Sequence, residues 1–124
     1  MPILTAHLNT GHSAAQKRAL LEQSTQAVVT ALNAPLPSVR VLLQEHEADH
    51  VIVAGQVGAP QVLYLVYLIE GRTVELKAGL IAALCEAASA SLGVSIDDVR
   101  VVIRDIPKSD MGVAGGISAL AAGR

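Results

Sequence analysis

The sequence predicts an α/β domain, classed as α+β in some schemes, in which two β-α-β repeats share one four-stranded sheet. The first observation is an internal repeat, because the second half of the chain matches the first without any gap. The second observation is an apolar helical pattern between two apolar strand-like segments in each half. The matching residues are Gly11 with Gly71, Lys17 with Lys77, Leu20 with Leu80, Leu32 with Leu92, Val39 with Val99, Arg40 with Arg100 and Gly55 with Gly115.

The length and composition indicate one domain. The chain has 124 residues, of which 52% are hydrophobic, and this is enough for one shared core, whereas half the chain alone would bury little surface. We therefore expect a single domain over residues 1–124, with repeats at residues 2–55 and 61–116 that are joined by residues 56–60.

The first repeat predicts strand, helix and strand. Residues 2–8 are short and apolar, and Ser13 to Gln16 form a Ser-x-x-Gln capping box that begins a helix. Apolar residues recur at helical spacing until Asn33-Ala34-Pro35 ends the helix. The β-branched segment Val39–Leu43 then predicts a second strand. A helix of about twenty residues between the strands is long enough for a right-handed parallel crossover.

The second repeat predicts the same elements at Val62–Ile69, Thr73–Ser91 and Val99–Ile106. The strand Val62–Ile69 is apolar on both faces, so we expect protein on both sides of it. Two helices can cover one face of the sheet, and the other face then needs a partner. This indicates an oligomer, and the aliphatic tail Ile117–Leu120 is a candidate for covering that face.

Charge and aromatic content argue against several classes of partner. The net charge is −2, and the only aromatic residues are two tyrosines, so nucleic acid is not an expected partner. The longest uncharged run, residues 51–69, is broken by glycines and a proline, which argues against a membrane span. The N-terminus lacks the order of regions that a signal peptide has, so we expect a cytoplasmic protein.

Several short motifs together resemble those of one known family. Pro2 follows the initiator, Gly71-Arg72 precedes the second helix, and Val39-Arg40 and Val99-Arg100 begin strands. A glycine-rich segment, residues 111–116, resembles a closing hairpin. Along essentially the whole chain, both halves are similar to subunits of the tautomerase superfamily, of the 4-oxalocrotonate tautomerase type. The resemblance implies a tautomerase/MIF-like fold, a homotrimer of fused subunits, no cofactor or metal, and a small carboxylate-bearing substrate.

The resemblance also implies a role for each matching residue. Loss of Met1 would leave Pro2 with a free secondary amine that acts as the general base, provided that it is unprotonated near pH 7. Arg72 would polarise the substrate, and Arg40 or Arg100 would bind a distal carboxylate. Met111 lies where the family has an aromatic wall residue. The expected activity is keto-enol proton transfer on a 2-oxo or 2-hydroxydienoic acid.

Neither half has a complete set of these residues. The first half has Pro2 but carries His12 where the arginine would be, and the second half has Arg72 but carries Val62 in place of the proline. Pro2 facing Arg72 is the natural pairing, which gives one site for each chain. His12 could still bind a carboxylate if it were protonated, although a solvated turn histidine is the simpler interpretation.

Alternative functions remain open at this point. Arg40 and Arg100 could be exposed arginines in salt bridges, and the incomplete halves could mean a decayed oligomeric scaffold or small-acid binder. A dehalogenase- or hydratase-like lyase is only a minor alternative, because two groups that it needs are missing. Val113 stands where its water-activating carboxylate is expected, and Ile69 stands where its extra arginine is expected.

One motif suggests a different class of enzyme. Residues 46–50, His-Glu-Ala-Asp-His, fit the H-E-x-x-H pattern of zinc proteases, which works only on a helix. The segment directly follows a predicted strand, and its repeat counterpart contains Pro107. Both facts predict a loop, so we expect surface histidines rather than catalytic zinc.

Overall fold

The computed structural model describes residues 2–124. Its helices and strands follow the order that the sequence predicts. A short hairpin closes each repeat, and the second one lies at the glycine-rich segment that was predicted to form a hairpin. They are β1 (Ile3–Asn9), α1 (Ala14–Leu32), β2 (Arg40–His46), β3 (Ile52–Val53), β4 (Gln56–Val57), β5 (Val62–Ile69), α2 (Val74–Leu92), β6 (Val99–Ile106), β7 (Gly112–Val113) and β8 (Ile117–Ser118).

The main sheet has four strands in the order β2-β1-β5-β6, which confirms the predicted architecture. The strands are parallel within each repeat and antiparallel at the centre, where Ile3 of β1 lies opposite Tyr67 of β5. The two repeats therefore run in opposite directions. The starts of β1 and β2 lie at the same end of the sheet as the finishes of β5 and β6, and we call this end the Pro2 end.

The helix boundaries follow from local side-chain chemistry. At the start of α1, Ser13 Oγ accepts a hydrogen bond from the Gln16 amide (3.1 Å), and Gln16 Oε1 accepts one from the Ser13 amide (2.9 Å). This confirms the predicted capping box. Thr73 caps α2 by accepting from the Leu76 amide, and Gly93, with φ of 74°, ends that helix in the left-handed conformation.

Both helices pack on one face of the sheet. Alternate residues of the central strands point into this core, and the opposite face carries the residues between them. The opposite face is uncovered in the single chain, where Leu42 is 49% and Val102 is 51% exposed. The strand residues buried beneath the helices are Leu4, Ala6, Leu8, Val62, Tyr64, Val66 and Leu68.

The segments after β2 and β6 differ from expectation in two respects. Residues 56–60, expected to join the repeats, begin with β4, which pairs with β3 to close the first repeat. The tail Ile117–Leu120 does not cover the open sheet face of its own chain. Instead, Ala119 is buried against the second hairpin, where its amide donates to the Met111 carbonyl (2.8 Å), and Leu120 is 62% exposed. The tail therefore contributes to the Pro2 end.

Neither helix within residues 2–124 is long and apolar enough to cross a membrane.

A fully buried hydrogen bond between Ser24 and Tyr64 links the first helix to the second repeat. Ser24 Oγ and the Tyr64 hydroxyl are 2.9 Å apart, and both side chains are fully buried. Burial raises the pKa of Tyr64 to about 12, although the bond to Ser24 opposes the shift. We expect Ser24→Ala to lower the free energy of unfolding by about 1–3 kcal/mol, because it leaves a buried hydroxyl unpaired.

Chemical denaturation of a double-mutant cycle measures this effect. Ser24→Ala combined with Tyr64→Phe removes both partners and should restore part of the loss. Additive losses in the double variant would show that the hydrogen bond itself contributes nothing.

Candidate active site

Pro2 lies at the start of β1 and is fully buried. Its carbonyl accepts a hydrogen bond from the Arg40 amide (3.1 Å), which fixes the first residues of β1 against β2. Because Ile3 lies opposite Tyr67, Pro2 is adjacent to the end of β5, from which the chain continues into Gly71-Arg72. The fold thus brings the predicted base and the predicted arginine to the same end of the sheet.

A cavity of about 470 Å³ opens at the Pro2 end. Its walls come from the loop before β2, the turn after β5, the segment after β6 and the end of the chain. Ile69, one of its lining residues, also belongs to an apolar cluster that includes Ile3, the neighbour of Pro2. The lining residues are Pro35, Ser38, Ile69, Glu70, Gly71, Arg72, Lys108 and Arg124.

Arg72 is half-buried in this cavity, and its Nη1 donates to the Ile69 carbonyl at 3.2 Å. The preceding Gly71 has a φ of 119°, a conformation that side-chain-bearing residues rarely adopt, so the sharp turn depends on glycine. The turn and the hydrogen bond hold the guanidinium at the cavity, and its remaining N–H groups can bind a carboxylate or an enolate oxygen.

Met111 is buried in the apolar cluster beside the cavity, together with Ile69, Val113 and Ala119. It does not line the cavity itself, but it packs with Ile69, which does. Met111 therefore packs behind Ile69 and supports the apolar part of the cavity wall.

Arg40 and Arg100 lie at opposite ends of the sheet. Arg40 is exposed at the Pro2 end, where it pairs with Ile3, while Arg100 pairs with Leu63 at the far end. Arg100 donates to the Asp97 carbonyl at 2.7 Å and to its neighbour's carbonyl at 3.0 Å. Neither arginine lines the cavity that contains Arg72.

His12 is half-buried in the turn after β1, at the far end. The far end is the repeat counterpart of the Pro2 end, with Val62 and His12 in the positions of Pro2 and Arg72. The structure therefore places Pro2 and Arg72 at one end of the sheet and His12 and Arg100 at the other, although Pro2 does not itself line the cavity that contains Arg72.

The H-E-x-x-H segment is not helical. His46 is the last residue of β2, and Ala48–His50 form a single 3-10 turn, so His46 and His50 do not share a helix face. Within residues 2–124, no three His, Cys, Asp or Glu side chains are grouped so that they could hold a metal ion. The prediction of a loop is confirmed.

Two cavity residues, Lys108 and Arg124, were missed by sequence reasoning. Lys108 follows β6, and its counterpart in the first repeat is Ala48, so the gapless repeat already marks it as a difference between the halves. Arg124 has no counterpart within the repeats. Only the fold of the tail shows where it lies.

The open sheet face carries a histidine pair, formed by His7 of β1 and His46 of β2. His7 Nδ1 and His46 Nε2 are 2.9 Å apart with stacked rings, so one nitrogen donates and the other accepts. Burial, and secondarily the neighbouring His46, lower the pKa of His7 below its ordinary value of 6.5.

The lowered pKa of His7 predicts acid sensitivity. Well above pH 6.5 the histidine is neutral in both states, but as the pH falls through 6.5 the unfolded chain takes up the proton more readily than the folded one. We expect the free energy of unfolding to fall between about pH 7.5 and about pH 5.5, and to fall less in His7→Gln. Urea titrations at both pH values measure this, with His12→Gln as control. An unchanged pH dependence in His7→Gln would contradict the assignment.

These features define a class of protein: a duplicated β-α-β fold with a cationic cavity that suits a small anionic ligand. A family model described as tautomerase enzyme matches the chain twice, at residues 2–59 and 65–120. The chain therefore belongs to the tautomerase family.

Several named proteins and several solved structures are similar to this chain. A probable tautomerase of Ralstonia nicotianae is 53% identical over 53 residues, which are 43% of this chain and 76% of that protein. A 2-hydroxymuconate tautomerase of Pseudomonas putida is 45% identical over 49 residues, which are 40% of this chain and 78% of that protein. A solved structure described as a fused 4-OT, a wild-type symmetric trimer, is 61% identical to this chain with a TM-score of 0.96. The match covers 98% of this chain and 99% of that chain.

Proposed function

We propose that this protein is a cytoplasmic homotrimeric tautomerase that moves a proton on a small 2-oxo or 2-hydroxydienoic acid, with the N-terminal proline as general base. The observation that carries the proposal is that Pro2 directly precedes β1 at the same end of the sheet where Arg72 lines a cavity. The name of the Pseudomonas putida relative supports 2-hydroxymuconate as the first substrate to test.

The proposed reaction transfers one proton and leaves the atom count unchanged. After removal of Met1, the neutral Pro2 nitrogen takes the proton from the 2-hydroxyl group of the enol. The oxygen forms a carbonyl, the double bonds shift along the chain, and the ammonium returns the proton to a carbon. Arg72 stabilises the negative charge on the substrate while the proton resides on the amine.

The open sheet face supports the trimeric part of the proposal. Exposed aliphatic residues such as Leu42 and Val102 lie on it, and association of copies would remove them from water. The fused 4-OT relative is a trimer. In such an assembly, Arg40 or Arg100 of a neighbouring copy would approach the cavity and bind a distal carboxylate.

The test combines three measurements on the natively expressed protein. Intact mass reports whether Met1 is removed, ultraviolet absorbance follows ketonisation of 2-hydroxymuconate, and light scattering gives the mass of the assembly. We expect loss of Met1, turnover and a trimer. A protein that lacks Met1 and binds the acid without turnover would instead be a small-acid binder.

A further inference from the structure

We propose that His7 and His46 form a two-histidine site for a divalent transition-metal ion of the Cu²⁺ and Ni²⁺ type. The site lies toward the far end of the open sheet face, away from Pro2 and Arg72. It is therefore separate from the proposed catalytic site. Three observations support it: the pairing of the strands, the distance between two ring nitrogens and the cavity beside them.

Regular strand pairing brings the two histidines together. β1 and β2 are parallel, with His7 opposite Gln44 and His46 opposite Asn9. His46 lies two residues after Gln44, so it extends from the same face of the sheet as His7. Both side chains are half-buried, and their rings are stacked with centroids 5.1 Å apart. The backbone of the sheet thus fixes the points from which both rings extend.

The separation of the two nitrogens fits neighbouring ligands of one tetragonal ion. His7 Nδ1 and His46 Nε2 are 2.9 Å apart. With metal–nitrogen bonds of about 2.0–2.1 Å, two nitrogens at a right angle are about 2.9 Å apart, whereas two at the tetrahedral angle are about 3.3–3.4 Å apart. Tetragonal coordination is typical of Cu²⁺ and Ni²⁺, and zinc prefers a tetrahedron. The distance therefore favours Cu²⁺ or Ni²⁺ over Zn²⁺.

Metal binding would replace the hydrogen bond between the rings without a net release of protons. One of the two facing nitrogens carries the proton of that bond, and it loses this proton when its lone pair binds the ion. The same imidazole takes up a proton at its other ring nitrogen, so it remains neutral with one N–H. A rotation of the rings then directs both lone pairs at the ion instead of at each other.

A cavity of about 500 Å³ lies beside the pair and provides room for an ion with its water ligands. Its lining offers imidazole nitrogen rather than carboxylate oxygen, which suits late transition metals and not Mg²⁺ or Ca²⁺. Water would occupy the coordination positions that the two histidines leave open. The other lining residues are His50, Val51, Ile52, Val53, Gln61 and Leu63.

The strand pair defines this site, and the H-E-x-x-H motif does not. In that motif the two ligands would be His46 and His50, which share a face only on a helix. Here His50 ends a 3-10 turn, and its side chain is 72% exposed with Nε2 3.8 Å from the Asp49 carboxylate. His46 therefore pairs across the sheet with His7, and His50 supplies no ligand. A site with two protein ligands also agrees with the lack of a three-residue metal group within residues 2–124.

The second repeat does not reproduce the pair. The counterparts of His7 and His46 are Tyr67 and Ile106, neither of which has an imidazole. The duplicated fold therefore provides this site once. We expect one bound ion for each chain.

Calorimetry with CuSO₄ and with NiCl₂ near neutral pH tests the site on the untagged full-length protein. The variants are His7→Gln and His46→Gln, and the matched control is His50→Gln, which changes a histidine of the same cavity. We expect either of the first two substitutions to weaken binding at least about tenfold, because each removes one of two imidazole ligands. His50→Gln should leave the affinity unchanged.

Two further measurements separate ligation from an effect on folding. Electron paramagnetic resonance of bound Cu²⁺ should show coupling to two nitrogens in the wild type and to one in His7→Gln or His46→Gln. Thermal unfolding without metal shows whether each variant is folded. Saturating NiCl₂ should raise the melting temperature of the wild type, since the ion binds the folded chain.

The outcomes leave no ambiguity about the site. Binding that is lost in His50→Gln and retained in His7→Gln would overturn the cross-strand site and favour the motif instead. A wild type that binds neither ion would overturn it as well. Equal weakening in all three variants would mean an adventitious ion only and would also refute it. None of these results depends on tautomerase activity, so the proposed function can fail while this inference stands.

Discussion

Blocking the amine of Pro2 is expected to lower kcat/KM for 2-hydroxymuconate by about 10²–10⁴, the usual contribution of a positioned general base. A residue retained or added before Pro2 converts its nitrogen into a tertiary amide without a usable lone pair. Pro2→Ala keeps a free amine but loses the ring that restricts its direction, so we expect a smaller loss. Stopped-flow absorbance on mass-verified samples measures both.

The matched control for this prediction is Pro60→Ala. Pro60 is exposed and lies at the far end of the sheet, just before β5. Its replacement should leave kcat/KM unchanged. Full activity in the blocked protein would show that Pro2 is not the base, even if the family chemistry holds.

The repeat explains why so much of the fold was predictable. A gapless duplication allows the two halves to be compared, and strands β5 and β6 have the predicted bounds, Val62–Ile69 and Val99–Ile106. Local chemistry fixes the helix starts, since Ser13 caps α1 as predicted and Thr73, predicted as the first residue of α2, caps that helix one residue before it begins. Neighbouring residues determine these features, so the sequence displays them directly.

The cavity was only partly predictable because it depends on segments that meet through the tertiary fold. Arg72 was identified because Gly71-Arg72 resembles a motif of the family, but Arg124 reaches the cavity only because the tail turns back at Ala119. The sequence also presented Arg40 and Arg100 as equivalent, and the antiparallel arrangement of the repeats separates them. A repeat pattern shows which residues are equivalent, whereas the direction of the strands decides which of them lie together.

Arg72→Ala is expected to lower kcat by about 10²–10³, comparable to the loss of a donor that stabilises developing negative charge. Arg72→Lys retains the charge but not the planar pair of donors, so it should recover only part of the activity. Steady-state kinetics on 2-hydroxymuconate measure kcat and KM separately. Arg18→Ala removes an exposed arginine of α1 whose salt bridge with Glu22 is 3.0 Å long, and it should change neither constant.

A purely structural role for Arg72 would give a different pattern, because its guanidinium also bonds the Ile69 carbonyl. If that bond were its main contribution, Arg72→Ala would lower the melting temperature, while kcat for bound 2-hydroxymuconate stayed near the wild-type value. A role in stabilising charge requires the opposite: a folded variant with an unchanged melting temperature and a kcat that falls far more than KM rises. Thermal unfolding beside the kinetics therefore decides whether Arg72 acts on the substrate or only on the turn.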